Sequence, residues 1–93
     1  MIREFACKET GKIWEGFRSR KFPSNMQNIA LRKLRYLNRA KTLADLRVPP
    51  GNRPEALKGK RRGQHSIRIN DQWRICFIWN KGVVKGVEIV DYH

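Results

Sequence analysis

This 93-residue sequence predicts an α+β fold in the order β-α-α-β-β-β, with two helices packed on a small, mostly antiparallel sheet. Three observations predict it. Residues 24–40 repeat apolar side chains at helical spacing, the last third alternates apolar with polar residues, and short Asn, Asp and Gly turns cut that third into consecutive segments.

The elements follow in order. "MIREFA" carries Ile2 and Phe5 and reads as a short first strand. "CKETGKIWEGF" sets Ile13, Trp14 and Phe17 at helical spacing, predicting a short helix over 8–17, and "RSRKFP" is a basic connector. Ser24 and Gln27 have the S-x-x-Q spacing of a capping box, which would satisfy backbone N–H groups at a helix start. The helix predicted over 24–40 gathers Met26, Ile29, Ala30, Leu34, Leu37 and Ala40 on one side and Arg32, Arg35 and Arg39 on the other. Two residues fit this arc poorly. Lys33 falls inside it and is expected to snorkel, while Leu31 falls outside.

Residues 48–63, rich in Pro, Gly and positive charge, are expected to form a long ordered loop of the kind that often carries function. In "QHSIRIN", Ile67 and Ile69 alternate with Ser66 and Arg68; in "WRICFIWN", Trp73, Ile75, Phe77 and Trp79 alternate with Arg74, Cys76 and Ile78. Asn70-Asp71 and Asn80-Lys81-Gly82 supply the turns before and after this second strand. "VVKGVEIVDYH" is the last strand. Its period places Val87, Ile89, Asp91 and His93 on one face, with Val90 and Tyr92 on the other.

Length and composition fit a single domain over 1–93, and nine aromatic residues argue for a packed core rather than disorder. The chain has 21 Lys+Arg against 8 Asp+Glu, a net charge of +13. Such a charge attracts polyanions and says little about fold. A membrane is the least fitting partner, because the apolar runs fall far short of the roughly 20 residues that span a bilayer. "MIREFACKET" lacks the apolar core of a signal peptide. Two cysteines, Cys7 and Cys76, make neither a disulfide scaffold nor a zinc site and are expected to be reduced and buried. The expectation is a cytoplasmic protein that binds RNA or DNA.

RNA can be cut without a metal if one group takes the proton of the 2′-hydroxyl, another protonates the leaving 5′-oxygen, and cations stabilise charge at phosphorus. His93 has the side chain best matched to neutral pH, and Asp91 on the same face is placed to orient it. Arg74, central in a strand, offers a planar fork to a phosphate. Lys58, Lys60, Arg61 and Arg62 crowd the loop before it, and Tyr92, Trp73 or Trp79 would stack on an unpaired base. Plainer readings stand beside these. His93 would be an exposed terminal residue, Asp91 a charge that blocks edge pairing, the tryptophans core, Arg74 an ion-pair partner of Glu88, and the basic cluster unselective phosphate contacts.

"EALKGKRRGQHSIRINDQWRICFIW" followed by "VEIVDYH" resembles the HigB toxins, and their GraT-like members in particular, within the RelE/ParE superfamily. The likeness runs from "MIREF" to the final His, carried by the L-K-G loop, the S-I-R-I-N-x-x-W-R hairpin and the D-Y-H ending in that order. It implies a RelE-like fold and a toxin that enters the ribosomal A site and cuts translated messenger RNA, and the sequence gives no reason to expect a metal or other cofactor. It also implies neutralisation by a helix-turn-helix antitoxin. By the same resemblance Lys58 and Arg74 would grip the scissile phosphate, while Asp91, Tyr92 and His93 would position the nucleotide and move protons, with His93 as general base. Many such toxins carry a histidine three residues before the L-K-G lysine; here the position is Glu55, which would act as base in its place or mark a weaker nuclease. Arg32, Arg35 and Arg39 would then meet ribosomal RNA.

Two other functions suit the same charge. A non-catalytic ribosome- or RNA-binding protein leaves the proton-handling terminus without purpose, and a ParE-like gyrase poison would keep the fold but change the target.

Overall fold

Two turns, one at each end of a long central strand, organise the sheet. In the computed structural model, which describes residues 1–92, that strand is β3 (Trp73–Asn80), flanked by β2 (His65–Arg68) and β4 (Val83–Asp91). Before β3, the Asn70 side-chain oxygen accepts from the backbone N–H groups of Gln72 and Trp73, both at 2.9 Å, which fixes the Asn-Asp turn. After it, Lys81 and Gly82 both take positive φ, 51° and 84°, the primed turn whose twist matches an antiparallel pair. A two-residue strand, β1 (Glu55–Ala56), completes an antiparallel sheet in the order β1-β2-β3-β4. A register irregularity between Cys76 and Ile78 lies opposite Gly86 at φ 59°. It sets the buried Val84 and Val87 three residues apart, a departure from strict alternation that the sequence pattern did not announce.

The helices are α1 (Lys8–Trp14) and α2 (Ser24–Arg39). Ile67, Ile75, Phe77, Val87 and Ile89 on one sheet face meet Ile13, Met26, Ala30, Leu34 and Leu37 from the helices, and all are at most 4% exposed. Each large side chain so buried contributes about 1.5–3 kcal/mol before chain entropy is counted. The expected apolar arc of α2 is therefore the core-facing one.

Several expectations need correction. The N-terminal segment makes two isolated parallel bridges to β4, Ile2 with Val84 and Phe5 with Val87, rather than a regular strand. α1 stops at Trp14 because the chain turns away at Gly16, φ 91°, and Phe17 ends up 64% exposed instead of in the core. The Ser24–Gln27 capping box does not form. Ser24 is already helical after Pro23, and the Gln27 amide turns back to accept from Ser19 N–H and donate to the carbonyls of Ser19 and Phe22. A true capping box occurs instead at Thr42 and Asp45, opening a 3-10 turn over Leu43–Arg47.

Lys33 does not snorkel. It is 9% exposed, and its ammonium donates to the Asn52 side-chain oxygen at 2.5 Å. Residues 48–63 are ordered, as expected, by 3-10 turns at Pro50–Asn52 and Gly59–Arg61 and by β1 between them. Cys76 is buried and Cys7 half-buried, both as free thiols. Among the described residues no helix is long and apolar enough to cross a membrane.

Candidate functional site

The sheet face turned away from the helices is polar, yet much of it is closed to water. Cross-strand neighbours share a face, and the register aligns Glu55 with Ser66, Ser66 with Cys76, Arg68 with Arg74, Arg74 with Val90, and Cys76 with Glu88. Ser66 and Cys76 are fully buried and Arg74 is 8% exposed. A guanidinium at that depth must be paired, since an unpartnered buried charge is strongly destabilising.

Arg74 is paired on several sides. Its Nε donates to Ser66 Oγ at 2.8 Å, and its Nη2 donates to the Arg53 carbonyl and faces Glu55 Oε1 at 3.2 Å. The Tyr92 ring lies with its centroid 5.8 Å from the guanidinium carbon, within cation–π range. These groups open on a cleft of about 530 Å³ whose walls include Arg53, Glu55, Arg68, Asn70, Arg74 and Tyr92. Arg68 is ion-paired with the exposed Asp71 at the rim.

Beside this cleft on the same face lies a second charged group. Arg61 donates to Glu88 Oε1 at 2.8 Å and to Gln64 Oε1 at 3.0 Å. The Glu88 carboxylate holds Arg61 protonated even further above its ordinary range. Burial pushes the neighbouring Cys76 thiol up, so it stays protonated and unreactive at neutral pH. The ion pair of Arg74 with Glu88 considered from sequence is thus not formed: Glu88 belongs to Arg61, and Arg74 to Glu55.

The C-terminal strand is anchored as far as it is described. Asp91 pairs in register with Trp73, and Tyr92 N–H donates to the Gln72 carbonyl at 2.6 Å. Tyr92 faces the cleft. Asp91, one residue earlier in the strand, takes the opposite face with Trp73, and its Oδ2 accepts from Gln72 Nε2 at 3.1 Å. His93 lies outside the described residues.

The structure thus brings together Arg74, Glu55 and Tyr92. Lys58 stands exposed at the entry to the Gly59–Arg61 turn, with Lys60 and Arg62 exposed beyond it, and among the described residues these three do not line the cleft. Arg32, Arg35 and Arg39 are exposed on α2, in the layer behind the sheet, where Arg39 packs over the Tyr36 ring. Trp73 and Trp79 pack against the core, Trp73 edge-on to Phe22, so neither is a stacking platform in the cleft.

Sequence reasoning missed Ser66, Arg68 and Arg53. The first two were legible in principle, because the polar half of "HSIRIN" must share a face with Arg74 once the hairpin closes. Arg53 acts through its main chain, for which its identity gives no signal.

Comparison with known proteins agrees with this architecture. Residues 3–93 match a family model described as HigB-like toxin, the RelE-like toxin of type II toxin–antitoxin system HigB. The chain is 48% identical over 84 residues to "Toxin HigB-1" of Vibrio cholerae, covering 89% of this chain and 88% of that protein. It is 34% identical over 67 residues to an uncharacterized protein of Haemophilus influenzae, covering 72% of this chain and 66% of that one. Among solved structures it superposes on a chain of the YoeB–YefM complex from Staphylococcus aureus with a TM-score of 0.62 at 18% identity, over 100% of this chain and 98% of that one. It superposes on YafQ from E. coli with a TM-score of 0.57 at 12% identity, covering 98% and 91%. These distant superpositions establish a common fold.

Proposed function

This chain belongs to the HigB-like toxins of type II toxin–antitoxin systems, and from that premise we propose that it is a ribosome-dependent endoribonuclease that cuts translated messenger RNA in the A site. The observation that carries this reading is Arg74: a buried guanidinium, held by Ser66 Oγ and the Arg53 carbonyl, facing an open cleft beneath an aromatic ring. A rigid cation at the floor of a cleft is what a phosphorus centre gaining negative charge requires, because it needs no reorganisation during the reaction.

The chemistry needs no metal. A general base removes the 2′-hydroxyl proton, the 2′-oxygen attacks phosphorus, and the 5′-oxygen departs with a proton from a general acid, leaving a cyclic phosphate and a 5′-hydroxyl. Arg74 neutralises the phosphoryl oxygens. Tyr92, exposed at the cleft wall, stacks on the nucleotide and His93 serves as the base, while Asp91, on the opposite face, holds the strand end through Gln72 rather than touching the RNA. Lys58, Lys60, Arg61 and Arg62 guide the message backbone, and Arg32, Arg35 and Arg39 meet ribosomal RNA from the other side. The ribosome contributes orientation, which alone is worth about 7–11 kcal/mol of a barrier in well-aligned systems.

Glu55 has a more specific role here than substitute base. Its carboxylate sits on Arg74, where a phosphate oxygen would bind, so it acts as the resident counter-anion that the substrate displaces. Between bouts of growth inhibition the toxin is held by a helix-turn-helix antitoxin.

Mapping the 5′ ends of transcripts after induced expression tests the reading. Cuts in codon register, lost with Arg74→Ala and retained under chelation that leaves ribosomes intact, are the expected result. Growth arrest with intact messages and inhibited supercoiling would overturn it in favour of gyrase poisoning. Arrest with neither cleavage nor gyrase inhibition would favour a non-catalytic ribosome binder.

A further inference from the structure

Arg74 is aimed by two anchors, one on a strand and one on a loop. The strand anchor is Ser66; the loop anchor is the Arg53 carbonyl. Residue 53 takes φ 40°, a left-handed conformation that a residue with a Cβ enters only under constraint. The residue before it supplies that constraint. Asn52 is fully buried, and its Nδ2 donates to the Leu46 carbonyl at 3.1 Å and the Val48 carbonyl at 3.4 Å. Its Oδ1 accepts from Lys33 Nζ at 2.5 Å.

Lys33 is the anomaly in this chain of contacts. It is the one charged residue among the buried side chains of α2, in a protein already carrying +13, and burial lowers the pKa of its amine, with Arg32 and Arg68 adding like-charge repulsion. A methionine there would complete the apolar arc without desolvating a cation. A structural strut has no need of so costly a donor, whereas the loop beyond it has to be held against its own backbone preference.

We propose that Lys33 and Asn52 are positioning residues for the cleavage reaction. Together they hold residue 53 in its left-handed turn and so fix the carbonyl that aims Arg74 at the phosphate. This inference rests on the role given to Arg74 above. It makes the helix on the far side of the sheet a working part of the cleft, through side chains that never meet the RNA.

The test uses Lys33→Met and Asn52→Ala in full-length protein, at a temperature where circular dichroism shows each fully folded. The first readout is single-turnover cleavage on message-programmed ribosomes. The expected result is a rate at saturation lowered at least tenfold with ribosome affinity within twofold of wild type, because an interaction felt mainly in the transition state is lost. The second readout needs no cleavage: the Nη–H signal of Arg74 in ¹⁵N-arginine-labelled protein, from the group that donates to the Arg53 carbonyl. It should exchange faster with water in both variants, and Lys33→Arg should restore part of its protection. If Lys33→Met does not fold, Asn52→Ala and the displaced donor of Lys33→Arg are judged on the same signal. Folded Lys33→Met or Asn52→Ala with wild-type cleavage, or an Arg74 signal unmoved in both, overturns the proposal. If Arg74→Ala itself cleaves normally, the functional reading fails, while the Arg74 signal still decides whether the strut exists.

Discussion

The two faces of β3 are buried to nearly the same depth and have nothing else in common. Ile75 and Phe77 on one face are fully buried against the helices; Cys76 is fully buried and Arg74 nearly so on the other. On the helix face burial is its own reason, and any well-shaped apolar group would serve. On the far face each polar atom is tolerated only because a named partner meets it: Ser66 and the Arg53 carbonyl for Arg74, and Glu88 for Arg61. The lesson is that this small domain has a core on one side of its sheet and a polar, pre-organised site on the other. Mutations on the two sides should therefore fail in different ways.

The sharpest test of that division is Phe77→Ala. A fully buried phenylalanine truncated to alanine costs about 3–5 kcal/mol, a large share of the roughly 5–15 kcal/mol that holds a domain folded. Urea unfolding should show the midpoint collapsing while any surviving folded protein keeps its activity. Arg74→Ala, on the adjacent residue pair of the same strand, should do the reverse. We expect cleavage on ribosomes to fall about 10²–10³-fold, the usual loss for one charge-stabilising donor, with an unfolding midpoint shifted far less than by Phe77→Ala.

Glu55→Gln probes the boundary between the faces. Its carboxylate is half-exposed, so releasing it from Arg74 is worth only about 1 kcal/mol after solvent screening. As counter-anion its loss should lower apparent KM severalfold with kcat retained; a large fall in kcat would make it a proton-transfer group instead. Gly82→Ala, at the hairpin tip and remote from both faces, should cost about 1 kcal/mol in urea, because alanine resists φ 84°.

The smallest effect lies in the acid limb of stability. Asp45 is held below its ordinary value by the backbone N–H groups of Lys41 and Thr42, and Glu9 by the Ser19 hydroxyl and Lys12. A carboxylate depressed on folding contributes stability that is present above its ordinary pKa and lost as pH falls through the lowered value. Asp45→Asn should therefore flatten the loss of thermal stability on acidification while leaving the neutral side of the curve little changed in slope.

Much of this was legible in the sequence where a single periodicity governs. α2 and the strands from 65 onward follow their hydrophobic pattern because burial on one face overrides every weaker preference. The helix start was misread because Gln27 has two possible uses, and a connector with unpaired backbone groups competes successfully for its amide. The pattern of α2 alone makes Lys33 a snorkelling cation, since nothing in it reveals Asn52, 19 residues away. In the candidate site Arg74 and Tyr92 were visible from residue type, although strand parity pointed to the other face, that of Asp91 and His93, as the reactive one. Their setting was not, because the Arg53 carbonyl and the ion pair with Glu55 depend on how the loop over residues 48–56 folds back.

The N-terminal segment along β4 has a consequence for recognition. From Val84 to Val87 the outward backbone groups of that strand are taken by Met1, Arg3, Glu4 and Ala6, and the Ile89 N–H by the Thr10 hydroxyl. A visiting chain that tries to zip onto this margin finds no vacant ladder and must first peel residues 1–6 away. Over this stretch the molecule is closed to strangers through its main chain, so whatever docks there must do so by matching shape and charge.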